Sequence, residues 1–327
     1  MIKNIFSAIG RYFKQTDWLL LLCCTGLSVF STLLIYSLYQ NGEIGRINTV
    51  VVQPAMALCG IAAAIVLSKI DYHTMARMWK FHTAVCYGLL LLLFPFGVQR
   101  VEWVDDRNWL PIPFLGINFQ PSELLKISFI ITFAYHLSKV KDTLNRPKQL
   151  LLLLLHGLLP VAIIHLQGDD GTALVMAVIF AAMLFTAGLS WKYILPVAAM
   201  IPPAAIVAWN FLLDDDKKNR ILAVIDPTLV VSVPPTITAH TGLDALISIG
   251  NGGLWGNGVF METGQFRYVP EVYNDFIFTY IGETVGFIGC LAVLLVLAFL
   301  CIRILSNGLR APDDLGKYIC VGVFAMI

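Results

Sequence analysis

Charged residues are scarce in this chain of 327 residues: they make up 13% of it, whereas hydrophobic residues make up 58%. Soluble domains carry roughly 25% charged residues, so the composition excludes an ordinary water-soluble globule. Each membrane crossing needs about 20 apolar residues, and the chain offers roughly nine such runs. The sequence therefore predicts an all-α, polytopic helical membrane protein, in agreement with its mean hydropathy of +0.77.

Metal-binding and disulfide patterns of cysteine are also lacking. None of the seven cysteines has CxxC spacing, and all lie in or beside apolar runs. The sequence therefore indicates neither a zinc site nor a disulfide framework. The net charge of +1 gives no basic field, which argues against nucleic acid as a partner. No internal repeat or appended soluble domain is visible, and we expect one integral membrane domain over residues 1–327.

The apolar runs predict spans in a regular series along the chain. They cover about 18–38, 49–68, 81–98, 122–138, 149–166, 172–189, 191–212 and 275–302, and a last run begins near Tyr318. We expect this ninth span to be incomplete at Ile327. The first run is too long for the core of a signal peptide, so it is predicted to be a retained span.

The distribution of basic residues predicts the orientation. With a cytoplasmic N-terminus, 14 of the 22 lysine and arginine residues fall on the inside, seven fall on the outside, and Lys126 lies within a span. Cytoplasmic loops carry an excess of lysine and arginine, which favours this orientation. The inside residues are Lys3, Arg11, Lys14, Lys69, Arg77, Lys80, Lys139, Lys141, Arg146, Lys148, Lys192, Arg303, Arg310 and Lys317; the outside ones are Arg46, Arg100, Arg107, Lys217, Lys218, Arg220 and Arg267.

Two elaborated loops are then predicted on the outer side, at about 99–121 and 213–274. A loop of roughly 60 residues is too long for a plain connector in a compact domain, which favours a functional role. The second loop ends at Asp275, where a carboxylate beside the hydrocarbon loses hydration. Glu271 precedes it by four residues. This acid pair is interpreted either as a helix cap or as a site containing a catalytic base.

Polar residues within or between the spans give three further candidate sites. Glu123 and Lys126 are three residues apart, so they share a helix face and form either a structural ion pair or the wall of a polar cavity. Asp169 lies in the turn H-L-Q-G-D-D-G-T, which is interpreted as a helix cap with Asp170 or Thr172 as capping residue. The glycine-rich segment at 250–258 lacks the P-loop ending and is interpreted as a turn.

Several separated motifs resemble, in order, those of the SEDS family (shape, elongation, division and sporulation), whose members include RodA, FtsW and SpoVE. Trp109 precedes them. The motifs are F-Q-P-S-E-L-L-K (119–126), Q-G-D-D-G-T-A-L-V (167–175), N-R-I-L-A-V-I-D-P (219–227), I-G-N-G-G-L-W-G-N-G (249–258) and V-P-E-V-Y-N-D-F-I-F-T-Y-I-G-E-T-V-G-F-I-G (269–289). The resemblance extends from the first span to the end of the chain, and the T-D-W opening at 16–18 favours the RodA-like members.

The resemblance implies a membrane bundle of about ten spans, of which about nine are represented here. It implies a peptidoglycan glycosyltransferase that polymerises lipid II outside the cytoplasmic membrane, with undecaprenyl diphosphate as leaving group and a class B penicillin-binding protein as partner. Asp275 matches the family's essential aspartate. The implied substrate-binding residues are Glu123, Lys126, Arg220, Glu271, Trp109 and Asp169. No cofactor is firmly implied; a divalent cation, Mg²⁺ or Mn²⁺, would be held by carboxylates and diphosphate.

The chain departs from the family pattern at several of these motifs. Tyr273-Asn274 replaces the usual His-Thr before the aspartate, Asn257 replaces a lysine, and Gly168 replaces a proline. Asn108 stands where an arginine usually precedes the tryptophan, a polar outer-loop stretch is Asp244-Ala245-Leu246, and the family's last span is missing. Two other functions stay open at this point: a flippase or transporter of lipid-linked precursors, and a non-catalytic scaffold of the cell-wall synthesis complex.

Overall fold

The computed structural model describes residues 16–42, 47–99, 107–112, 117–213, 215–225, 237–260, 266–267 and 269–327. Its elements are α1 (Trp18–Gln40), α2 (Ile47–Leu67), α3 (Tyr72–Arg77), α4 (Trp79–Phe96), β1 (Leu110–Ile112), β2 (Ile117–Phe119), α5 (Pro121–Val140), α6 (Pro147–Leu166), α7 (Asp170–Thr186), α8 (Trp191–Val207), α9 (Asp215–Ile225), α10 (Ile237–Asn251), α11 (Ile277–Leu309) and α12 (Asp314–Met326). A 3-10 turn follows α5, and a π-helical turn, Ala208–Leu212, follows α8.

The predicted all-α membrane fold is confirmed. Six helices in the described part of the chain, α1, α2, α4, α6, α8 with its π-helical turn, and α11, are long and apolar enough to cross a membrane. The other three predicted spans are also helical. Helix α5 carries the charged residues Glu123, Lys126 and Lys139, α7 has 17 residues, and α12 has 13. Five of the basic residues behind the predicted orientation (Lys3, Arg11, Lys14, Arg46 and Arg100) lie outside the described residues.

The described residues form two compact units, 1–68 with 198–300 and 69–197 with 301–327. The first unit is built around a buried hydroxyl, that of Tyr280 in α11. Ser37 and Asn41, at the end of α1, lie 2.6 and 2.9 Å from this hydroxyl through Oγ and Nδ2. Both side chains also donate to the carbonyl of Val259. All three polar residues are buried, so the cluster fixes α1, the 259 loop and α11 together.

Helix α11 is broken at Gly286, which has φ +76° and ψ −171°. A break leaves backbone carbonyls without helical partners, and each one is costly in an apolar environment. The glycine-rich segment at 250–258 supplies the donors. The amide of Asn257 donates to the carbonyl of Glu283 at 2.9 Å, and the amide of Gly258 donates to that of Thr284 at 3.0 Å.

The other side of the break is satisfied by the same segment. The amides of Phe287 and Ile288 donate to the carbonyls of Gly253 and Leu254, at 2.9 and 3.2 Å. Residues 252–258, which we call the plug loop, therefore close the break on both sides. The prediction of a turn is correct as far as it goes, but the loop also completes the hydrogen bonding of a membrane helix.

The close approach of the two backbones requires glycine at three positions. A Cβ atom on Gly252 would lie 1.9 Å from the carbonyl oxygen of Gly282. One on Gly256 would lie 2.2 Å from the carbonyl oxygen of Thr284, and one on Gly286 would lie 2.3 Å from the amide nitrogen of Gly256. Gly256 and Gly286 also have positive φ angles. Glycine at 252, 256 and 286 is thus dictated by backbone contact.

The second unit is a helical bundle with an aromatic centre. Phe129 and Phe133 on α5 stack with ring centroids 5.2 Å apart, and Phe180 on α7 lies 5.2 Å from Phe133. Gly157 on α6 has no room for a side chain because a Cβ atom would lie 2.1 Å from the Phe180 ring. Proline begins both α5 and α6, where its missing N–H is not needed. Short strands β1 and β2 pair antiparallel and lead into α5.

Candidate active site

The predicted catalytic residue, Asp275, lies two residues before α11 in the first unit. Its side chain is exposed, and it makes no hydrogen bond or ion pair within the part of the chain that the structure describes. The turn 271–276 that carries it is formed by backbone bonds from the amides of Asn274 and Phe276 to the carbonyl of Glu271, at 3.0 and 3.4 Å. The carboxylate is thus held on an ordered turn and remains accessible to a substrate.

Glu271 is brought into the same turn as Asp275. Its φ of +55° is unusual for a residue with a side chain, and strain of this kind is frequent at functional sites. The side-chain amide of Asn274 donates to Oε2 of Glu271 at 2.8 Å. Asn274 is one of the departures from the family pattern, and here it anchors one of the predicted substrate-binding acids.

A second carboxylate on α11, Glu283, is buried at 3% exposure. Oε2 of Glu283 accepts a short hydrogen bond from the hydroxyl of Ser248 on α10. Oε1 accepts a bond of 3.3 Å from the backbone amide of Arg267. The guanidinium of Arg267 in turn binds Oδ1 of Asp244 through Nε at 2.9 Å and Nη2 at 2.6 Å. These contacts tie α10 and the 266–267 segment to α11.

The sequence did not reveal this network, although one signal was present. Asp244 and Ser248 are four residues apart on α10, so they share a face of that helix. Their partners are distant in sequence, and no local pattern identifies Glu283 or Arg267 as the residues that they meet.

In the second unit, Glu123 and Lys126 form the ion pair that their spacing favours. Oε1 of Glu123 lies 2.8 Å from Nζ of Lys126. The lysine side chain is 11% exposed and the glutamate side chain 56% exposed. The pair therefore presents its acid outward and keeps its base nearly buried at the start of α5.

The carboxylate of Asp169 accepts three hydrogen bonds from other residues of the chain. Its Oδ1 accepts from the amide of Thr172 at 2.9 Å and caps α7. Its Oδ2 accepts from the side-chain amides of Asn108 at 3.0 Å and Gln120 at 2.8 Å. The expectation that Asp170 or Thr172 caps α7 is wrong. The turn ends one residue earlier, because Gly168 adopts φ +85° and leaves Asp169 at the capping position.

For the two remaining predicted site residues, Trp109 and Arg220, the structure gives the position of the backbone. Trp109 is half-buried and pairs through its backbone carbonyl with the amide of Val98 at 2.9 Å. Arg220 lies on α9, and the structure describes its backbone but not its side chain. The Asp226-Pro227 end of its motif lies outside the described residues. The described residues contain no group of three or more His, Cys, Asp or Glu side chains able to hold a metal ion.

The fold and these polar residues define a class: a multi-pass helical membrane protein whose candidate site residues lie at helix ends, with Glu271 and Asp275 before α11, Glu123 and Lys126 at the start of α5, and Asp169 at the cap of α7. The sequence model of the family FTSW_RODA_SPOVE, described as "Cell cycle protein", matches residues 15–327. This chain belongs to that family, as the motifs predicted.

Two curated relatives and one solved structure illustrate the similarity. "Probable peptidoglycan glycosyltransferase FtsW" of Geobacter metallireducens is 30% identical over 99% of this chain and 84% of its own length. "Peptidoglycan glycosyltransferase MrdB" of Escherichia coli is 29% identical over 96% and 83%. A solved structure titled "Structural coordination of polymerization and crosslinking by a peptidoglycan synthase complex" contains a chain with a TM-score of 0.71 and 20% identity, covering 95% of this chain and 84% of that one. The two relatives are almost equally similar, so the preference for RodA-like members stays a prediction.

Proposed function

We propose that this chain is a peptidoglycan glycosyltransferase that polymerises lipid II into glycan strands at the outer face of the cytoplasmic membrane, during cell elongation or division. Relatives with about 30% identity across nearly the whole chain are named peptidoglycan glycosyltransferases. The single observation that supports the catalytic assignment is the exposed carboxylate of Asp275, on an ordered turn just before α11, which has no partner among the residues that the structure describes.

In the proposed reaction, a sugar hydroxyl attacks the anomeric carbon that carries the lipid diphosphate. A hydroxyl is a weak nucleophile at neutral pH, so a positioned base accelerates the step. The Asp275 carboxylate accepts the hydroxyl proton as the new C–O bond forms. The bond from the anomeric carbon to the diphosphate oxygen breaks, and undecaprenyl diphosphate leaves with the bonding electron pair.

The other predicted residues are proposed to bind the substrate. Lys126 or Arg220 offsets charge on the departing diphosphate, since fixed positive groups stabilise charge that develops in the transition state. Glu123, Glu271, Trp109 and Asp169 are proposed to contact or shape the sugar-binding region. For Asp169 this role is indirect, because its carboxylate is already used to hold the loop before α5 to the cap of α7.

A divalent cation is also proposed to bind at this site, and no step of the reaction is assigned to it. Mg²⁺ is usually held by one or two carboxylates together with substrate phosphates, and Asp275 and Glu271 offer two carboxylates in one turn. Such an ion would neutralise diphosphate charge. Polymerisation measured with EDTA, and then with added Mg²⁺ or Mn²⁺, tests whether the ion is needed.

The orientation and the partner are also proposals. A cytoplasmic N-terminus would put both elaborated loops outside, where lipid II is polymerised, and the excess of lysine and arginine on the opposite side supports it. A class B penicillin-binding protein is the proposed partner, because the solved structure with the same fold comes from a complex that couples polymerisation to crosslinking.

The experiment compares wild-type protein with Asp275→Asn in a lipid II polymerisation assay, with and without the partner. The amide keeps the shape of the carboxylate but cannot act as the base, so we expect at least a hundredfold loss of rate. Asp142→Asn, at an exposed site in the turn after α5, is the matched control and should keep wild-type rate. Near-normal polymerisation by Asp275→Asn would refute the assignment.

One observation favours the transporter alternative, because discontinuous helices are common at transport sites. Helix α11 is discontinuous at Gly286. However, the plug loop already occupies the amides and carbonyls that such a break would offer to a substrate. Headgroup crossing in proteoliposomes without chain growth would favour the transporter, and normal complex formation with neither activity would favour the scaffold.

A further inference from the structure

Arg267 is anchored at two independent points in the first unit. Its backbone amide donates to buried Glu283, and its guanidinium binds Asp244 through two nitrogens. The arginine side chain is nevertheless 42% exposed and that of Asp244 29% exposed. Within the described residues Asp244 is the only partner of the guanidinium. The backbone of Arg267 and one edge of its guanidinium are therefore held in place. The exposed part of the guanidinium can donate hydrogen bonds to an anion such as a phosphate.

The depth of Arg267 follows from the length of α11. The chain has no charged residue between Glu283 and Arg303. After the break at Gly286, residues 287–302 form a helix of about 24 Å at 1.5 Å per residue, and the whole uncharged stretch approaches the roughly 30 Å thickness of the hydrocarbon core. With Arg303 at one boundary, Glu283 lies near the other. Arg267, bonded to Glu283, therefore lies near the level where the phosphates of membrane lipids are found.

This position also fits the order of groups in the proposed substrate. Asp275 is on the turn two residues before α11, and the helical interval from Ile277 to Glu283 alone spans about 9 Å, so Asp275 lies farther from the hydrocarbon than Glu283 does. In a lipid-linked sugar the diphosphate is nearest the membrane and the sugar is farther out. A base near Asp275 and a cation near Glu283 therefore follow the sequence sugar, diphosphate, lipid.

We propose that Arg267 binds the diphosphate of the polyprenyl-linked sugar donor, with Asp244 and Glu283 as the residues that position it. The inference rests on the proposed function for the identity of the substrate. The planar guanidinium suits paired phosphate oxygens better than a lysine ammonium does, because it donates two parallel hydrogen bonds in a fixed geometry.

The chain allows a clean substitution at this site. Glu283 receives the backbone amide of residue 267, so changing the side chain leaves that anchor in place. The test measures binding of undecaprenyl diphosphate, undecaprenyl monophosphate and phosphatidylglycerol to the purified full chain in phosphatidylcholine nanodiscs. Arg267→Gln should bind the diphosphate about tenfold more weakly, and Arg267→Lys should fall between this variant and wild type. Lys217→Gln, which removes a basic charge from the same outer segment, should bind as wild type does.

Three outcomes would overturn the proposal: unchanged diphosphate affinity in Arg267→Gln, an equal loss with Lys217→Gln, or an equal loss for phosphatidylglycerol, which would indicate a general headgroup contact. Thermal unfolding of each variant identifies misfolding, and Arg267→Lys keeps the test valid if Arg267→Gln does not fold. Binding is measured without turnover. Intact, Arg267-dependent diphosphate binding in a chain that polymerises nothing would refute the proposed function while leaving this inference standing.

Discussion

The side-chain amide of Asn274 and the carboxylate of Glu271 are joined by a hydrogen bond of 2.8 Å, one residue before Asp275. The bond closes the turn 271–274, in which Glu271 adopts a positive φ. A strained residue persists only when its surroundings hold it in place. The position of Asp275 therefore depends on a contact that this chain makes with asparagine.

We expect Asn274→Ala to lower the rate of lipid II polymerisation about tenfold, which corresponds to about 1.4 kcal/mol in the barrier. The alanine removes the contact to Glu271 and loosens the turn that carries the proposed base. Asn210→Ala, at an exposed turn after α8, is the matched control. An unaltered rate in Asn274→Ala, with both variants equally well folded, would mean that the bond does not position Asp275.

The plug loop gives a prediction about stability. Alanine at Gly286 would have a backbone conformation open almost only to glycine and a Cβ atom 2.3 Å from the amide nitrogen of Gly256. We expect Gly286→Ala to destabilise the protein by roughly 3 kcal/mol or more. Thermal unfolding in detergent measures the effect. Gly60→Ala in α2, where nothing lies within 4 Å, should be neutral or slightly stabilising. Equal melting temperatures for the two variants would contradict the backbone contact.

For Asp169, the neighbouring carboxylate of Asp170 provides the comparison. Asp169→Asn would place an amide NH₂ or a weaker acceptor against the donors Asn108 and Gln120, so we expect a loss of about 2 kcal/mol in stability. Asp170→Asn changes an exposed contact to His165, 2.6 Å long, and should cost less than about 0.5 kcal/mol. Thermal unfolding of both variants measures the two losses of stability and shows whether that of Asp169→Asn is the larger. If Asp169→Asn melts normally but polymerises poorly, direct substrate contact becomes the better explanation.

A pH effect is expected at the start of α12, outside the membrane-spanning segments. His73 lies between Asp71, 3.0 Å from Nδ1, and Asp313, 2.6 Å from Nε2. The hydrogen bond to Asp71, with help from Asp313, raises the pKa of His73. Bonds from the backbone and ring of His73 lower the pKa of Asp71. Burial opposes the change at Asp313, but the Gly316 amide, Tyr72 and His73 lower its pKa overall.

The directions of these pKa shifts define the pH range in which the contact between His73 and the two aspartates is strongest. The histidine contribution is complete below its ordinary pKa and is lost as pH rises through the raised value. The carboxylate contributions are lost as pH falls through their lowered values. An NMR titration of His73 should show an elevated midpoint in wild type and a lower one in Asp313→Asn. Identical midpoints would show that Asp313 does not interact with the protonated ring.

The sequence predicted the spans and the family well because both signals are local or ordered along the chain. Apolar runs identify helices α1, α2 and α6 without knowledge of their neighbours. The ion pair of Glu123 with Lys126 also follows from helical spacing alone. The capping residue of α7 was placed one position too late. Glycine adopts positive and negative φ angles about equally readily, so the residue type of Gly168 does not reveal its conformation.

The break in α11 could not be predicted from the sequence. Glycine is tolerated in membrane helices, so V-G-F-I-G looks like part of a continuous span. What interrupts the helix is contact with the plug loop, roughly 30 residues upstream, and that contact exists only in the folded chain. The bonds of Glu283 to Ser248 and Arg267 were hidden for the same reason.

The order of the plug loop and α11 along the chain has a consequence for biosynthesis. The loop leaves the ribosome before the helix that it completes, so its donors and acceptors are hydrogen-bonded to water until Phe287 and Ile288 have been synthesised. The stretch from 287 to 302 is uncharged and about 24 Å long as a helix, so it can enter the bilayer unaided, whereas the carbonyls of Glu283 and Thr284 are satisfied by the plug loop. We therefore expect this last long helix to insert in two stages. The part after Gly286 enters the bilayer first, and the turn that carries Asp275 reaches its final position last.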